Sequence, residues 1–194
     1  MPTIYMLHWQ GISSNDGQGG SDTLASIENV IGGGFNDTLV GSSAANRFEG
    51  ADGNDLMFAD AGADTLIGGA GSDILAGGNG SDVLTGGTGA DNFRLDFALG
   101  ASNIDTITDF SVVDDTIQLE NAVFTSLVTP GTLAAGSFVS GAGVAALDAD
   151  DYILYDTGTG ALYYDADANG AGLAQQCATL NGIPSILASD FLVI

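Results

Sequence analysis

Acidic side chains recur along this chain at a fixed interval. From Gly32 to Arg94 seven nine-residue units follow one another: GGGFNDTLV, GSSAANRFE, GADGNDLMF, ADAGADTLI, GGAGSDILA, GGNGSDVLT and GGTGADNFR. Their sixth place holds Asp37, Asn46, Asp55, Asp64, Asp73, Asp82 and Asp91, and their eighth holds Leu39, Phe48, Met57, Leu66, Leu75, Leu84 and Phe93. The last three units fit G-G-x-G-x-D-x-apolar-x throughout. A looser eighth unit, GQGGSDTLA, spans Gly17 to Ala25 and is set off by the six residues Ser26 to Ile31. Aspartates on such a pitch are a supply of hard oxygen donors. Stacked about 4.8 Å apart, as adjacent strands are, they repel one another unless a cation lies between them. Carboxylate and turn-carbonyl oxygens together suit calcium, which takes roughly six to eight of them, better than magnesium, which demands tighter octahedral geometry. Zinc and copper prefer nitrogen or sulfur, and the chain has one His and one Cys. The pattern points to calcium.

What must position these donors is a coil of short strands. Glycines in the first four places permit positive φ and let carbonyls crowd together. The last three places suit a brief strand with the eighth side chain inward and its neighbours outward. Two units then make one flat 18-residue coil. Asp37, Asp55, Asp73 and Asp91 stack along one edge, and Asn46, Asp64 and Asp82 along the other. A period of this kind specifies a solenoid rather than a folded-back globule. A flexible glycine linker has no reason to hold the phase or to place Leu, Met and Phe in it. Departures fall at Phe35, which replaces a turn glycine, at Asn46, and at Ala59–Asp60, which replaces the leading Gly-Gly. Sites on those units are expected to be weaker or absent.

The repeat resembles the calcium-binding β-roll of the RTX (repeats-in-toxin, hemolysin-type) family of secreted bacterial proteins. That resemblance implies ions between successive coils, bound by the repeat aspartates and by carbonyls of the glycine turns. Carried onto this sequence, the ligands are Asp37, Asp55, Asp73 and Asp91 on one edge and Asp64 and Asp82 on the other, with carbonyls from Gly69, Gly71, Gly78, Gly80, Gly87 and Gly89. About five calcium ions are expected in the roll.

From Leu95 the glycine rhythm ends. NIDTITDFSVVDDTIQL, Asn103 to Leu119, reads as two short alternating strands with Ile104, Ile107, Phe110, Ile117 and Leu119 as core. Tyr152 to Tyr155 and Leu162 to Tyr164 form a hairpin across Asp156 to Gly160, and Gln175 to Leu180 and Phe191 to Ile194 are further strands. Leu133 to Phe138 and Ala145 to Asp151 are open between helix and strand. Cys177 reads as a small packed residue, and a single cysteine excludes an internal disulfide. DTITDFSVVDDTIQL, YDTGTGALYYDADANGAG and the terminal ASDFLVI resemble the region after the repeats in serralysin-type secreted proteins. The resemblance makes Asp190, Phe191, Leu192, Val193 and Ile194 an uncleaved type I secretion signal. Asp165, Asp167 and Asn169, followed by Gly170, have the spacing of an EF-hand-type calcium loop, but Gln176 stands where its bidentate glutamate would be. Either an extra calcium loop or a plain acidic turn fits.

The fold class expected is therefore all-β: a parallel β-roll (β-solenoid) with a C-terminal β-rich capping and secretion region. Its divisions are 1–31, an N-terminal arm with one degenerate repeat; 32–94, the roll; and 95–194, the cap. A formal charge of −23, with Arg47 and Arg94 the only Lys or Arg, argues against nucleic acid and anionic membranes. No apolar run approaches the roughly 20 residues that span a bilayer, and the N-terminus lacks the basic start and apolar run of a signal peptide. H-E-x-x-H cannot occur with His8 alone, which beside Trp9 reads as structural or surface; no G-x-S-x-G or phosphate loop is present. Two functions remain in view. One is a non-catalytic, secreted, extracellular module that folds on calcium and uses the type I secretion machinery. The other is a calcium-dependent polysaccharide- or cell-surface-binding module, or the tail of a larger secreted enzyme. The outward apolar strip Val40, Leu56, Phe58 and Ile74 lacks the polar groups sugar would need, and reads instead as a docking surface for the cap or the N-terminal arm.

Overall fold

The computed structural model describes the backbone of Ile4–Tyr5 and Gly20–Thr23, and residues 29–194 in full. His8, Trp9 and most of the looser unit at 17–25 lie outside the described residues. Strands alternate between two sheets as the chain advances: β1 (Ile4–Tyr5), β2 (Gly20–Thr23), β3 (Asn29–Ile31), β4 (Asp37–Ser42), β5 (Arg47–Asp52), β6 (Leu56–Asp60), β7 (Thr65–Ala70), β8 (Ile74–Ala76), β9 (Val83–Thr88), β10 (Asn92–Leu95), β11 (Asp105–Ile107) and β12 (Thr116–Leu119). Then come β13 (Gly131–Thr132), β14 (Phe138–Gly141), β15 (Ile153–Asp156), β16 (Ala161–Tyr164), β17 (Gln175–Leu180) and β18 (Phe191–Val193). The odd strands through β11 form one side of a 10-stranded sheet that ends β11-β17-β16-β15-β14; the 8-stranded sheet runs β13-β18-β12-β10-β8-β6-β4-β2. Every strand pairing within the described coils is parallel, and among the described strands antiparallel pairs enter at β15–β16, β16–β17 and β13–β18. This is the parallel β-roll with a β-rich C-terminal region that the period implies.

One inward side chain per unit builds the core. Phe48, Leu66, Leu84, Ile107 and Leu180 face one another in register across the first sheet. Leu39, Met57, Leu75, Phe93, Ile117 and Phe191 do so across the second. None of these is more than 1% exposed. Burying each contributes roughly 1.5–3 kcal/mol. The two apolar files thus pass from repeat into non-repeat sequence without a break, so the segment after Leu95 stacks on the roll as further coils before it turns antiparallel. Asn29–Ile31, just before Gly32, also join the stack: β3 pairs with β5, and Val30, 2% exposed, lies opposite Phe48.

The hairpin expected near Tyr152–Tyr164 is β15–β16. The stretch 133–138 holds a single 3₁₀ turn, Ala135–Ser137, and 145–151 forms turns without helix. The two strands read from Asn103 to Leu119 are present, but β11 and β12 lie in opposite sheets.

Candidate metal centre

The turns that carry the aspartates are shaped by backbone conformation. Places two and four of a unit adopt positive φ at Ala51 and Gly53, Asp60 and Gly62, Gly69 and Gly71, Gly78 and Gly80, and Gly87 and Gly89. The first two units show no such pair among their residues, consistent with Phe35 and Ala44 at place four. The Ala59 unit keeps the turn despite its sequence, because Asp60 takes φ +75°; Ala51 takes +81°. An L side chain held there costs about 1–2 kcal/mol. At Gly71 and Gly89 a Cβ would strike the carbonyl oxygen of Gly53 and Gly71 in the preceding coil. Glycine at these places therefore lets one coil's carbonyls nest against the next.

Along both edges the aspartates form a ladder. The backbone N–H of each donates to Oδ1 of the aspartate one coil on. Asp37 donates to Asp55 at 2.7 Å, Asp55 to Asp73 at 2.7 Å and Asp73 to Asp91 at 2.9 Å. On the second edge Asn46 donates to Asp64 at 2.6 Å and Asp64 to Asp82 at 2.8 Å. The other oxygen is the informative one. Oδ2 of Asp55, Asp64, Asp73, Asp82 and Asp91 is sealed from solvent and has no hydrogen-bond partner, and these residues are at most 2% exposed. At Gly50 and Gly68 a Cβ would collide both with Oδ2 of the same unit's aspartate and with the carbonyl of the next coil, Gly68 and Gly86 respectively. A buried carboxylate oxygen and a neighbouring carbonyl thus share one small space.

Burying a carboxylate without compensation favours its neutral form. Desolvation, followed by neighbouring carboxylates, pushes Asp55, Asp64 and Asp91 up to about 6, against the bond each accepts from a backbone N–H. Asp73 and Asp82 are raised by desolvation as well. The donors needed for a hard cation are present and short of positive charge. Among the described residues no three Asp, Glu, His or Cys side chains gather in one place. An ion between coils would therefore rest on one or two carboxylates, with carbonyl oxygens completing its shell, which is the oxygen-only set calcium accepts.

Comparison with known families places the repeat. The RTX calcium-binding nonapeptide repeat matches residues 31–66 and 58–93. Residues 31–93 are an RTX repeat array. Comparison with curated proteins finds no match. Among solved structures the chain is similar to the AlgE6R3 subunit of the Azotobacter vinelandii mannuronan C5-epimerase, at 23% identity over 88% of this chain and 84% of that one, with a TM-score of 0.35.

Two ladder members lie beyond the RTX array and were not among the aspartates picked out by period. Asp105 Oδ1 accepts the Asp82 N–H at 3.1 Å, and Asp115 Oδ1 accepts that of Asp91 at 2.9 Å. Spacings of 23 and 24 residues hide them from an 18-residue period. The signal that betrays them is local: Asp105-Thr-Ile107 and Asp115-Thr-Ile117 repeat the Asp64-Thr-Leu66 pattern of the array. In the EF-hand-like loop one oxygen of each aspartate accepts a backbone N–H. Asp165 Oδ1 accepts the Asp167 N–H at 3.3 Å and Asp167 Oδ2 that of Gly172 at 2.9 Å, while Asn169 is exposed. The C-terminal residues are packed: Phe191 and Val193 are 1% and 3% exposed, β18 lies between β12 and β13, and Asp190 Oδ2 accepts the Leu187 N–H at 2.8 Å. No helix of the described residues is long and apolar enough to cross a membrane.

Proposed function

We propose that this chain is a non-catalytic RTX module that folds on binding calcium outside the cell and supports its own type I secretion. The observation that carries the reading is the row of five buried, partnerless Oδ2 atoms on Asp55, Asp64, Asp73, Asp82 and Asp91. A chain that buries unpaired carboxylates pays several kcal/mol for each. Calcium held between coils would offset that cost, so ion binding and folding become one equilibrium.

The ligands are Asp37, Asp55, Asp73 and Asp91 along one edge and Asp64 and Asp82 along the other, with turn carbonyls of Gly69, Gly71, Gly78, Gly80, Gly87 and Gly89, for about five ions. Residues 32–94 hold them and residues 95–194 close the end of the stack. Extracellular modules of this kind bind calcium at roughly 10⁻⁴–10⁻³ M, weak enough to stay empty in the cytoplasm. The chain would then be exported unfolded, with Asp190 to Ile194 read as a linear signal, and would pack that tail as β18 only after export.

Far-UV circular dichroism during a calcium titration from chelator to about 10 mM, with magnesium as control, tests the reading. A cooperative, calcium-specific gain of β signal centred between roughly 0.1 and 1 mM is expected. A chain fully folded in chelator would remove the folding switch.

A further inference from the structure

The turn that follows β17 sets a side-chain amide beside a main-chain nitrogen that has nothing else to do. An asparagine amide is open to attack by the nitrogen of the next residue, and glycine there puts no Cβ in the way. The chain has three such pairs: Asn79 with Gly80, Asn169 with Gly170, and Asn181 with Gly182. All three asparagines are exposed, so access to water does not separate them. The backbone does.

In two of the pairs the attacking nitrogen is occupied. The Gly80 N–H donates to Asn103 Oδ1, and the Gly170 N–H donates to the Asp167 carbonyl at 2.9 Å. At the third, neither the Gly182 N–H nor the Asn181 side chain has a hydrogen-bond partner among the described residues. A Cβ added at Gly182 would meet nothing within 4 Å, so that side of the turn is open. Gly182 at φ +75° and Ile183 at φ +51° make a left-handed turn. Pro184 has no N–H and cannot close it by donating to the Asn181 carbonyl. Asn181 itself is anchored, because its N–H donates to the Ile107 carbonyl at 2.9 Å. The amide is held in place and its attacker is free.

We propose that Asn181 is a site of spontaneous self-modification, converting through a succinimide with Gly182 into aspartate and isoaspartate. The Gly182 nitrogen bonds to Asn181 Cγ and loses its proton. The bond from Cγ to the amide nitrogen breaks, and that nitrogen leaves with the proton as ammonia. Water then opens the imide ring at either carbonyl. One product is an ordinary aspartate; the other routes the main chain through Cβ and Cγ. Both add a negative charge to a chain already at −23. The second also lengthens the main chain by one carbon between β17 and β18, which lie in opposite sheets.

The test follows all three pairs in one sample. Full-length protein in calcium chloride, with its fold checked by circular dichroism, is incubated in mildly alkaline buffer beside a second sample in urea. Aliquots are digested with chymotrypsin, and amide loss and isoaspartate at each asparagine are read by mass spectrometry with electron-transfer fragmentation. In the folded chain Asn181 should convert roughly two- to tenfold faster than Asn79 and Asn169, the factor by which giving up one hydrogen bond slows the attack. In urea the three should convert at similar rates. Asn181 no faster than the other two in the folded chain, or unchanged there while the urea sample converts, would overturn the proposal. So would the same lead for Asn181 in urea, since the cause would then lie in neighbouring residues and not in the turn.

Discussion

Replacing Asp73 with Asn should change stability in opposite directions with and without calcium. The side chain does two separable things. Its Oδ1 accepts the Asp55 N–H at 2.7 Å, which the Asn carbonyl can still do. Its Oδ2 is buried and partnerless, between Asp55 in the coil before and Asp91 in the coil after. With carboxylates about 5 Å apart and an effective dielectric of roughly 20, each neighbour repels by about 3 kcal/mol. Proton uptake by a carboxylate already raised by desolvation relieves part of this. Removing the charge should therefore stabilise the calcium-free chain by about 3 kcal/mol, or restore β signal where wild type shows none. In calcium the same change weakens the two inter-coil sites that Asp73 serves. A site with Kd near 10⁻⁴ M contributes about 2.7 kcal/mol at roughly 10 mM calcium, so losing two of them removes about 5 kcal/mol and, set against the gain of about 3 kcal/mol, leaves a net loss of about 2 kcal/mol. Urea unfolding followed by circular dichroism, in chelator and in calcium, gives both signs from one preparation. Destabilisation by the same amount in both buffers would refute the reasoning and leave Asp73 a structural hydrogen-bond acceptor.

Acidification should partly replace calcium. Asp55, Asp64 and Asp91 sit at about 6 when folded, above the ordinary aspartate value of 3.8, so between these values the folded chain binds more protons than the unfolded one. Ion-free stability therefore falls as pH rises through that window, and circular dichroism in chelator should show more folded chain at about pH 5 than at about pH 7.5. Ala51→Gly should stabilise the chain by about 1 kcal/mol by relieving φ +81°, whereas Gly71→Ala, at φ +138° with the Gly53 carbonyl in the way, should cost at least about 2 kcal/mol; thermal melts in saturating calcium check both. Phe191→Ala should cost about 3–5 kcal/mol in the same melts, since its ring is 1% exposed opposite Ile117; no change would mean that the tail's only role is as a linear signal.

The roll was legible because its physics is periodic. One aspartate and one inward apolar residue per unit dictated the coil, the two edges and the core file from Leu39 to Phe93, and all reappear in the structure. What escaped was everything that keeps the geometry while breaking the spacing. Asp105 and Asp115 hold ladder positions, but loops of different length precede them, and period alone is blind to that. Asp60 adopts the positive φ of the glycine it replaces, so an apparent defect in sequence is absent from the backbone. Val30 joins the core from a stretch that looked like an insertion, because a three-residue strand is too short to announce itself.

The narrowness of the core makes the buried carboxylates weigh heavily in the balance of this fold. Each coil of the array contributes two inward side chains, such as Leu66 and Leu75, and brings two aspartates to the edges, such as Asp64 and Asp73. Apolar burial worth roughly 1.5–3 kcal/mol per side chain is then set against uncompensated carboxylates that cost several kcal/mol apiece. Adding coils cannot improve that balance, because both terms grow together along the stack. The C-terminal end escapes it. Beyond Leu95 the inward files continue through Ile107, Ile117, Leu180 and Phe191, while the first-edge carboxylates are met by backbone N–H groups at Asp109 and Asp115. The C-terminal coils can thus hold their shape by packing, and they present the last repeat with a finished surface.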